Sequence, residues 1–168
     1  YAEALCERAE AMHSLRHALA RSALGSGAGY GVPIALDRRA AAKAMGFKGI
    51  QAITAVQQTR GVDELAFAQA AQLAGVITSR LGADVVLFAT TEFGFVRLAA
   101  DATTGSSIMP NKANPDLFEL IRARSAALGQ HPAAIALVVS GLTGGYHRDM
   151  QELKRPVTRA FAECREIL

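Results

Sequence analysis

The chain has 168 residues, 51% hydrophobic and 20% charged, a globular composition that excludes disorder and is long enough for one domain to bury a core. Its net charge of +3 is weak, aromatics make up only 6%, and Arg122 and Arg124, like Lys154, Arg155 and Arg159, read as solvated helix faces with no nucleic-acid footprint. Cys6 and Cys164 give neither a disulfide framework nor metal spacing, which suits a reducing cytoplasm, and contiguous apolar runs such as 133–139 fall far below the about 18 residues a membrane span needs.

Residues 1–23 are expected to form a helix, with Leu5, Met12, Leu15 and Leu19 on one stripe and alanines between them. Tyr1 falls in mid-helix with no cap before it, so the sequence is expected to be a piece of a longer protein. The glycine-rich stretch 25–33, GSGAGYGVP, lacks both the preceding strand and the following Lys-Ser/Thr of a phosphate cradle and reads as a connector. Asp37 should cap a short helix over 38–45, closed by Gly46. Residues 47–60 fit a helix or a loop.

A long helix is expected from Val62 towards residue 90, reaching at most Val96, with Leu65, Leu73, Ile77, Leu81 and Phe88 as its buried stripe. After a mobile loop over 99–113, Asn114-Pro115-Asp116 should open the next helix, with asparagine as the cap, proline in the first turn and aspartate at the positive end of the dipole. Leu117, Leu120, Ile121 and Leu128 are its expected buried stripe, Pro132 its expected kink, and Leu142 its expected end. Residues 141–149 form a turn, and a last helix starts near Asp149, bent by Pro156. No segment alternates at period two for long. The fold expected is an all-α, elongated bundle whose long alanine-rich helices also pack against other copies of the chain.

Two groups of residues invite a chemical reading. His13 and His17 lie four apart on one helix face, with Glu10 a turn earlier; no third strong ligand is near and arginines flank the pair, which argues against a metal. His131, next to Pro132, suits a helix terminus better than a catalyst. The loop TTGSSIMPNKANPD, 103–116, carries more. Gly105 should let the backbone turn and expose amides beside Ser106 and Ser107, Lys112 adds a cation, and the helix that follows attracts anions. That combination describes a carboxylate site with a hydroxyl beside it, and such a hydroxyl is a useful base only where amides and a cation stabilise its alkoxide. A polar loop followed by a helix cap would explain the same residues.

GSSIMPNKANP closely resembles the GSSxMPxKxNP signature of the fumarase/aspartase superfamily, and within it the chain is most similar to the argininosuccinate lyases. EFGFV (92–96), ELIR (119–122), GYHRDMQELK (145–154) and LGSGAGYGVPIALDR (24–38) resemble segments of those lyases, and YAEAL resembles the helix that follows their Thr-His motif.

The resemblance implies an anti elimination that needs neither metal nor organic cofactor. Argininosuccinate would split into arginine and fumarate, with Ser106 as base and Lys112 stabilising the dianion. Ser107 sits on the same loop as a second candidate base or a substrate contact, Asn114 would hold a substrate carboxylate, and Glu119 would orient a histidine. Tyr146, Gln151 and Lys154 would contact the amino-acid portion of the substrate. Plainer accounts stand beside these: a helix ion pair of Glu119 with Arg122, packing for Tyr146, solvation for Lys154 and no role for Gln151. The implied fold is the central helical domain of a cytoplasmic homotetramer whose active sites each combine three chains. On that reading residues 1–168 are one helical domain, with the N-terminal domain and most of the C-terminal domain lying outside the sequence. Asn111, Ala113, His147 and Leu153 differ from the usual residues, and 51–63 does not reproduce the Ser-x-Asp and Ser-Asp-Arg-Asp of that family. Another superfamily lyase of the adenylosuccinate or aspartase type, or a non-catalytic crystallin-like scaffold, would share the same bundle.

Overall fold

The computed structural model describes residues 1–168, and helices carry it: α1 (Ala2–Leu19), α2 (Arg38–Ala44), α3 (Ile53–Gln58), α4 (Val62–Phe88), α5 (Asp116–Ala127), α6 (Gln130–Val139) and α7 (Lys154–Ile167). The expected all-α class is the one observed. Its two strands are two-residue pieces within stretches read as helix, connector or loop: β1 (Arg21–Ser22) runs parallel to β2 (Gly49–Ile50), Arg21 opposite Gly49. The first helix therefore stops at Leu19 rather than residue 23. Residues 47–60, open between helix and loop, divide into β2 and α3.

Helix α4 is the axis, and α1, α5, α6 and α7 pack around it. Its buried positions are small: Ala68, Ala71, Ala74, Gly75, Thr78 and Gly82. Positions 68, 71, 75, 78 and 82 alternate spacings of three and four, which keeps them on one face. This corrects the expectation of a leucine stripe. Leu73 is 51% exposed and lies on the opposite face with Val76 and Leu87, while Leu65, Ile77, Leu81 and Phe88 are only half-buried. Small residues win the seam because they let neighbouring backbones come close. A Cβ on Gly75 would lie 2.8 Å from the Ser125 carbonyl oxygen, and one on Gly82 2.9 Å from that of Phe118. With Gly61 against Val139 at the other end, these contacts run α5 and then α6 antiparallel to α4. Larger side chains pack against the Ala68–Ala71 turn of the seam. One cluster joins Ala68, Ile135, Leu153 and Ala160; the other joins Ala71, Leu128, Cys164 and Ile167.

Several boundaries differ from the sequence expectation for local reasons. Helix α4 ends at Phe88, because the amides of Phe95 and Val96 fold back to donate to the Phe88 carbonyl. Leu117 and Leu120 on α5 are exposed, so that the buried contacts of this stretch are Ser125 and Leu128, with Ile121 half-buried. The break between α5 and α6 falls at Leu128-Gly129, not at Pro132. Pro132 and Pro156 each sit third in their helices, in the first turn, where an amide has no intrahelical acceptor to lose, so neither interrupts its helix. Helix α6 ends at Val139, short of Leu142, and α7 begins at Lys154 after a 3-10 turn over Arg148–Leu153 rather than near Asp149. Helix α4 is also long and apolar enough, by length and composition alone, to cross a membrane, since its charges interrupt contiguous runs without lowering the window average enough to fail that test.

Candidate active site

The signature loop is built where α4 ends. Phe88, Phe93 and Phe95 form a ring cluster with centroids 5.5–6.3 Å apart, which caps the helix end and turns the chain. Thr104 and Asn114 then exchange two backbone hydrogen bonds, of 3.1 and 2.9 Å, as an isolated antiparallel bridge. This bridge pins the base of residues 105–113. Within the loop, the Ser106 hydroxyl oxygen accepts from the amides of Ile108 (3.2 Å) and Met109 (3.4 Å), and the Lys112 amide donates to the Met109 carbonyl (3.0 Å). Ser106 and Asn114 are half-buried, while Ser107, Lys112 and Glu119 are exposed. Glu119 lines an open cleft of about 720 Å³ between the end of α4, residues 92–98 and the start of α5; Ser106 and Lys112 lie outside its lining.

Two expectations about this loop need correction. Asn114 does not cap the helix: its backbone is committed to the bridge, α5 starts at Asp116, and the Thr104 hydroxyl donates to the Asp116 carboxylate instead. Gly105 has no left-handed backbone angle, and a Cβ there would make an ordinary 3.6 Å contact with the Lys112 carbonyl. The turn does not require glycine at that position. Glu119 and Arg122 form no ion pair.

Tyr146, Gln151 and Lys154 lie elsewhere. The Gln151 amide donates to the Tyr146 hydroxyl at 3.0 Å, and Lys154 is exposed at the first turn of α7. Their turn is docked on two others, with the Gly145 amide donating to the Gln57 carbonyl and the Tyr146 amide to the Ala28 carbonyl, both at 2.9 Å. These contacts place the second group at the N-terminal end of α4, whereas the signature loop follows its C-terminal end. Helix α4 has 27 residues, so at about 1.5 Å per residue the groups stand roughly 40 Å apart. One copy of the chain thus brings Ser106, Ser107, Lys112, Asn114 and Glu119 into one region and Tyr146, Gln151 and Lys154 into another, without joining the two. Gln57 and Arg60, which tie the second region together, were not singled out from the sequence. A polar Gln-Gln-Thr-Arg run gives no sign that one of its glutamines is fully buried.

Elsewhere, the ring nitrogens Nε2 of His13 and His17 are 3.1 Å apart, and the Lys48 ammonium lies 2.9 Å from His17 Nδ1. Chiefly through that ammonium, then through desolvation and the nearby His13 and Arg16, the His17 pKa is lowered. His131 is second in α6, at a helix terminus as expected; it is buried there, and its Nε2 lies 2.8 Å from the Glu163 carboxylate of α7. Burial raises the pKa of the Cys164 thiol. No group of three or more histidine, cysteine or acidic side chains converges to hold a metal.

A family model described as Lyase matches residues 1–128. The match takes in the bundle's long axis and the signature loop, and the chain belongs to this family. Argininosuccinate lyases are its relatives: that of Phocaeicola vulgatus is 39% identical over all of the chain, that of Bacteroides thetaiotaomicron 40% over all of it, and that of Stenotrophomonas maltophilia 41% over 96%. The chain spans 37–38% of the length of these curated relatives. A crystal structure of EDDS lyase in complex with formate superposes with a TM-score of 0.79 at 21% identity, over 94% of this chain and 33% of that one, which supports the fold.

Proposed function

We propose that the whole protein is an argininosuccinate lyase, splitting argininosuccinate into arginine and fumarate, and that these 168 residues are its central helical domain. The observation that carries this reading is the Ser106 hydroxyl, which accepts two backbone amides on a pinned loop that also bears Lys112. Amide dipoles aimed at an oxygen lower the cost of negative charge on it. The Ser106 alkoxide takes the proton from the carbon next to a substrate carboxylate, the electron pair moves into that carboxylate as an aci-dianion, and Lys112 neutralises it. Collapse of the dianion forms the carbon–carbon double bond of fumarate and breaks the carbon–nitrogen bond, leaving that electron pair on the departing guanidino nitrogen. Asn114 and Ser107 hold carboxylate oxygens, and Glu119 orients a histidine from elsewhere in the assembly. Tyr146, Gln151 and Lys154 hold the amino-acid end. The roughly 40 Å between the two regions supports a homotetramer with shared sites, in which the exposed stripe of Leu73, Val76 and Leu87 is covered by another copy. The assembly is placed in the cytoplasm.

The test follows fumarate absorbance with the full-length protein, supplying argininosuccinate, adenylosuccinate and aspartate in parallel. Turnover of argininosuccinate alone is expected, and Ser106→Ala should lower it by about 10³-fold or more with the oligomer intact. Fumarate from a different substrate would reassign the enzyme within the superfamily, and silence with all three would make it a scaffold.

A further inference from the structure

Around Tyr146 the chain uses two side chains to which no role has yet been given. Gln57 is 1% exposed, and its side-chain amide donates to the Gly27 carbonyl at 3.0 Å. Arg60 stands one turn further along. Its Nε donates to the Gln57 side-chain oxygen at 3.3 Å, one terminal nitrogen donates to the same Gly27 carbonyl at 3.0 Å, and its guanidinium carbon lies 5.7 Å from the centre of the Tyr146 ring. Gly27 has a left-handed φ of 74°, and a Cβ there would lie 2.7 Å from the Gly31 carbonyl oxygen, so this turn is tight and presents its carbonyl in a fixed direction.

A guanidinium is suited to this place. Its planar fork supplies two donors in a fixed relation while its face rests on an aromatic ring. A lysine would keep the charge but not both hydrogen bonds. Three loops meet at this one side chain: the glycine-rich turn at 25–31, the end of α3, and the turn at 144–147. Tyr146 is 43% exposed, so part of its side chain faces solvent. Its amide donates to Ala28, in the glycine turn that Arg60 holds through the Gly27 carbonyl, its hydroxyl accepts from Gln151, and the Arg60 guanidinium lies over its ring.

We infer that Arg60, braced by the buried Gln57, is a positioning residue that sets the ring of Tyr146, and through its hydroxyl the Gln151 amide, for the amino-acid end of the substrate. This rests on the reading of Tyr146 and Gln151 as substrate contacts. Both side chains come from 51–63, the segment that does not reproduce the motifs the resemblance would imply.

The test uses Arg60→Met and Arg60→Lys in the full-length protein. Because Tyr146 and Gln151 are read as contacting the amino-acid end of the substrate rather than the carbon that loses its proton, misplacing Tyr146 should weaken uniform binding. Arg60→Met is expected to raise KM for the amino-acid-bearing substrate about tenfold with kcat within about twofold, and Arg60→Lys to fall between it and the wild type. A merely structural role would lower the melting midpoint or the active fraction and leave KM alone. Hydrogen exchange gives a second readout that needs no substrate: the Gly145 and Tyr146 amides should lose protection in Arg60→Met while α4 keeps its own. Unchanged KM, or a fall in kcat alone, overturns the inference in an active enzyme. Unchanged protection at 145–146 overturns it whether or not the enzyme turns over argininosuccinate. Loss of that protection in a protein inactive on argininosuccinate supports the positioning role while removing the substrate reading.

Discussion

The seam between α4 and α5 should be intolerant of a single methyl group. In Gly75→Ala the new Cβ would lie 2.8 Å from Leu128 Cδ1 and 2.8 Å from the Ser125 carbonyl oxygen. The leucine can rotate, but the carbonyl belongs to the α5 backbone and moves only if the helix does. Overpacking of this kind costs about 1–3 kcal/mol, and alanine returns about 0.8–1.0 kcal/mol of helix propensity over glycine. A steric cost near the top of that range, expected because one partner is backbone, leaves a net loss of about 1–2 kcal/mol. Urea denaturation followed by circular dichroism should show a lower midpoint with an unchanged slope. In a Leu128→Ala background the same change should cost less, because one of the two overlaps is gone and only the carbonyl contact remains. A Gly75→Ala midpoint at or above that of the wild type would refute the account of the seam, since propensity would then outweigh packing.

Two further outcomes follow from side chains away from the catalytic loop. The leading cause of the lowered His17 pKa is Lys48, so Lys48→Met should raise it towards the ordinary 6.5 in a proton NMR titration of the imidazole. The sign follows from proton binding: near and below pH 6.5 the unfolded chain takes a proton that folded His17 resists, so its contribution to stability is complete above that pH and is lost as pH falls through the lower folded value. Lys48→Met should make the acid-side decline shallower, and an unmoved His17 pKa would sink the assignment. Ser125 is 2% exposed with a hydroxyl that finds no partner, so Ser125→Ala should stabilise by about 1 kcal/mol; a lower melting midpoint would mean the hydroxyl is satisfied.

Helix existence was legible because alanine-rich stretches between glycines and prolines have few other options. The all-α class followed from the lack of period-two alternation, and the place of α4 from its helical periodicity and its freedom from proline. The buried face of α4 was misread because hydrophobicity ranks leucine above alanine, whereas the seam selects for the closeness of two backbones. Leu73 and Leu120 face outward for this reason, and Gly75 and Gly82 face inward. The prolines misled in the same way: Pro132 and Pro156 break helices only where an amide is needed, and both occupy first turns. At the candidate site, the loop at 103–116 declared itself by local sequence, since its residues are contiguous. Arg60 and Gln57 did not, because their partners at Gly27, Gly145 and Tyr146 lie 30 or more residues away in the chain and only the fold brings them near.

The length of α4 keeps the signature loop and the Tyr146 turn apart within one chain. A helix of 27 residues is a stiff rod, and its small-residue seam fixes α5 and α6 against it end to end. No loop motion of a few ångströms closes a gap of about 40 Å. The face of the same rod turned away from the seam carries Leu73, Val76 and Leu87, each more than two-fifths exposed, with the exposed Arg80 between them. In the proposed assembly, a second copy laid antiparallel along that stripe would bury it. The same placement would bring the second copy's Tyr146 end towards the first copy's Ser106 end. Under the proposed function, the rod that separates the two regions within one chain would also supply the surface that brings them together between chains, so loss of the oligomer and loss of elimination should be one event rather than two.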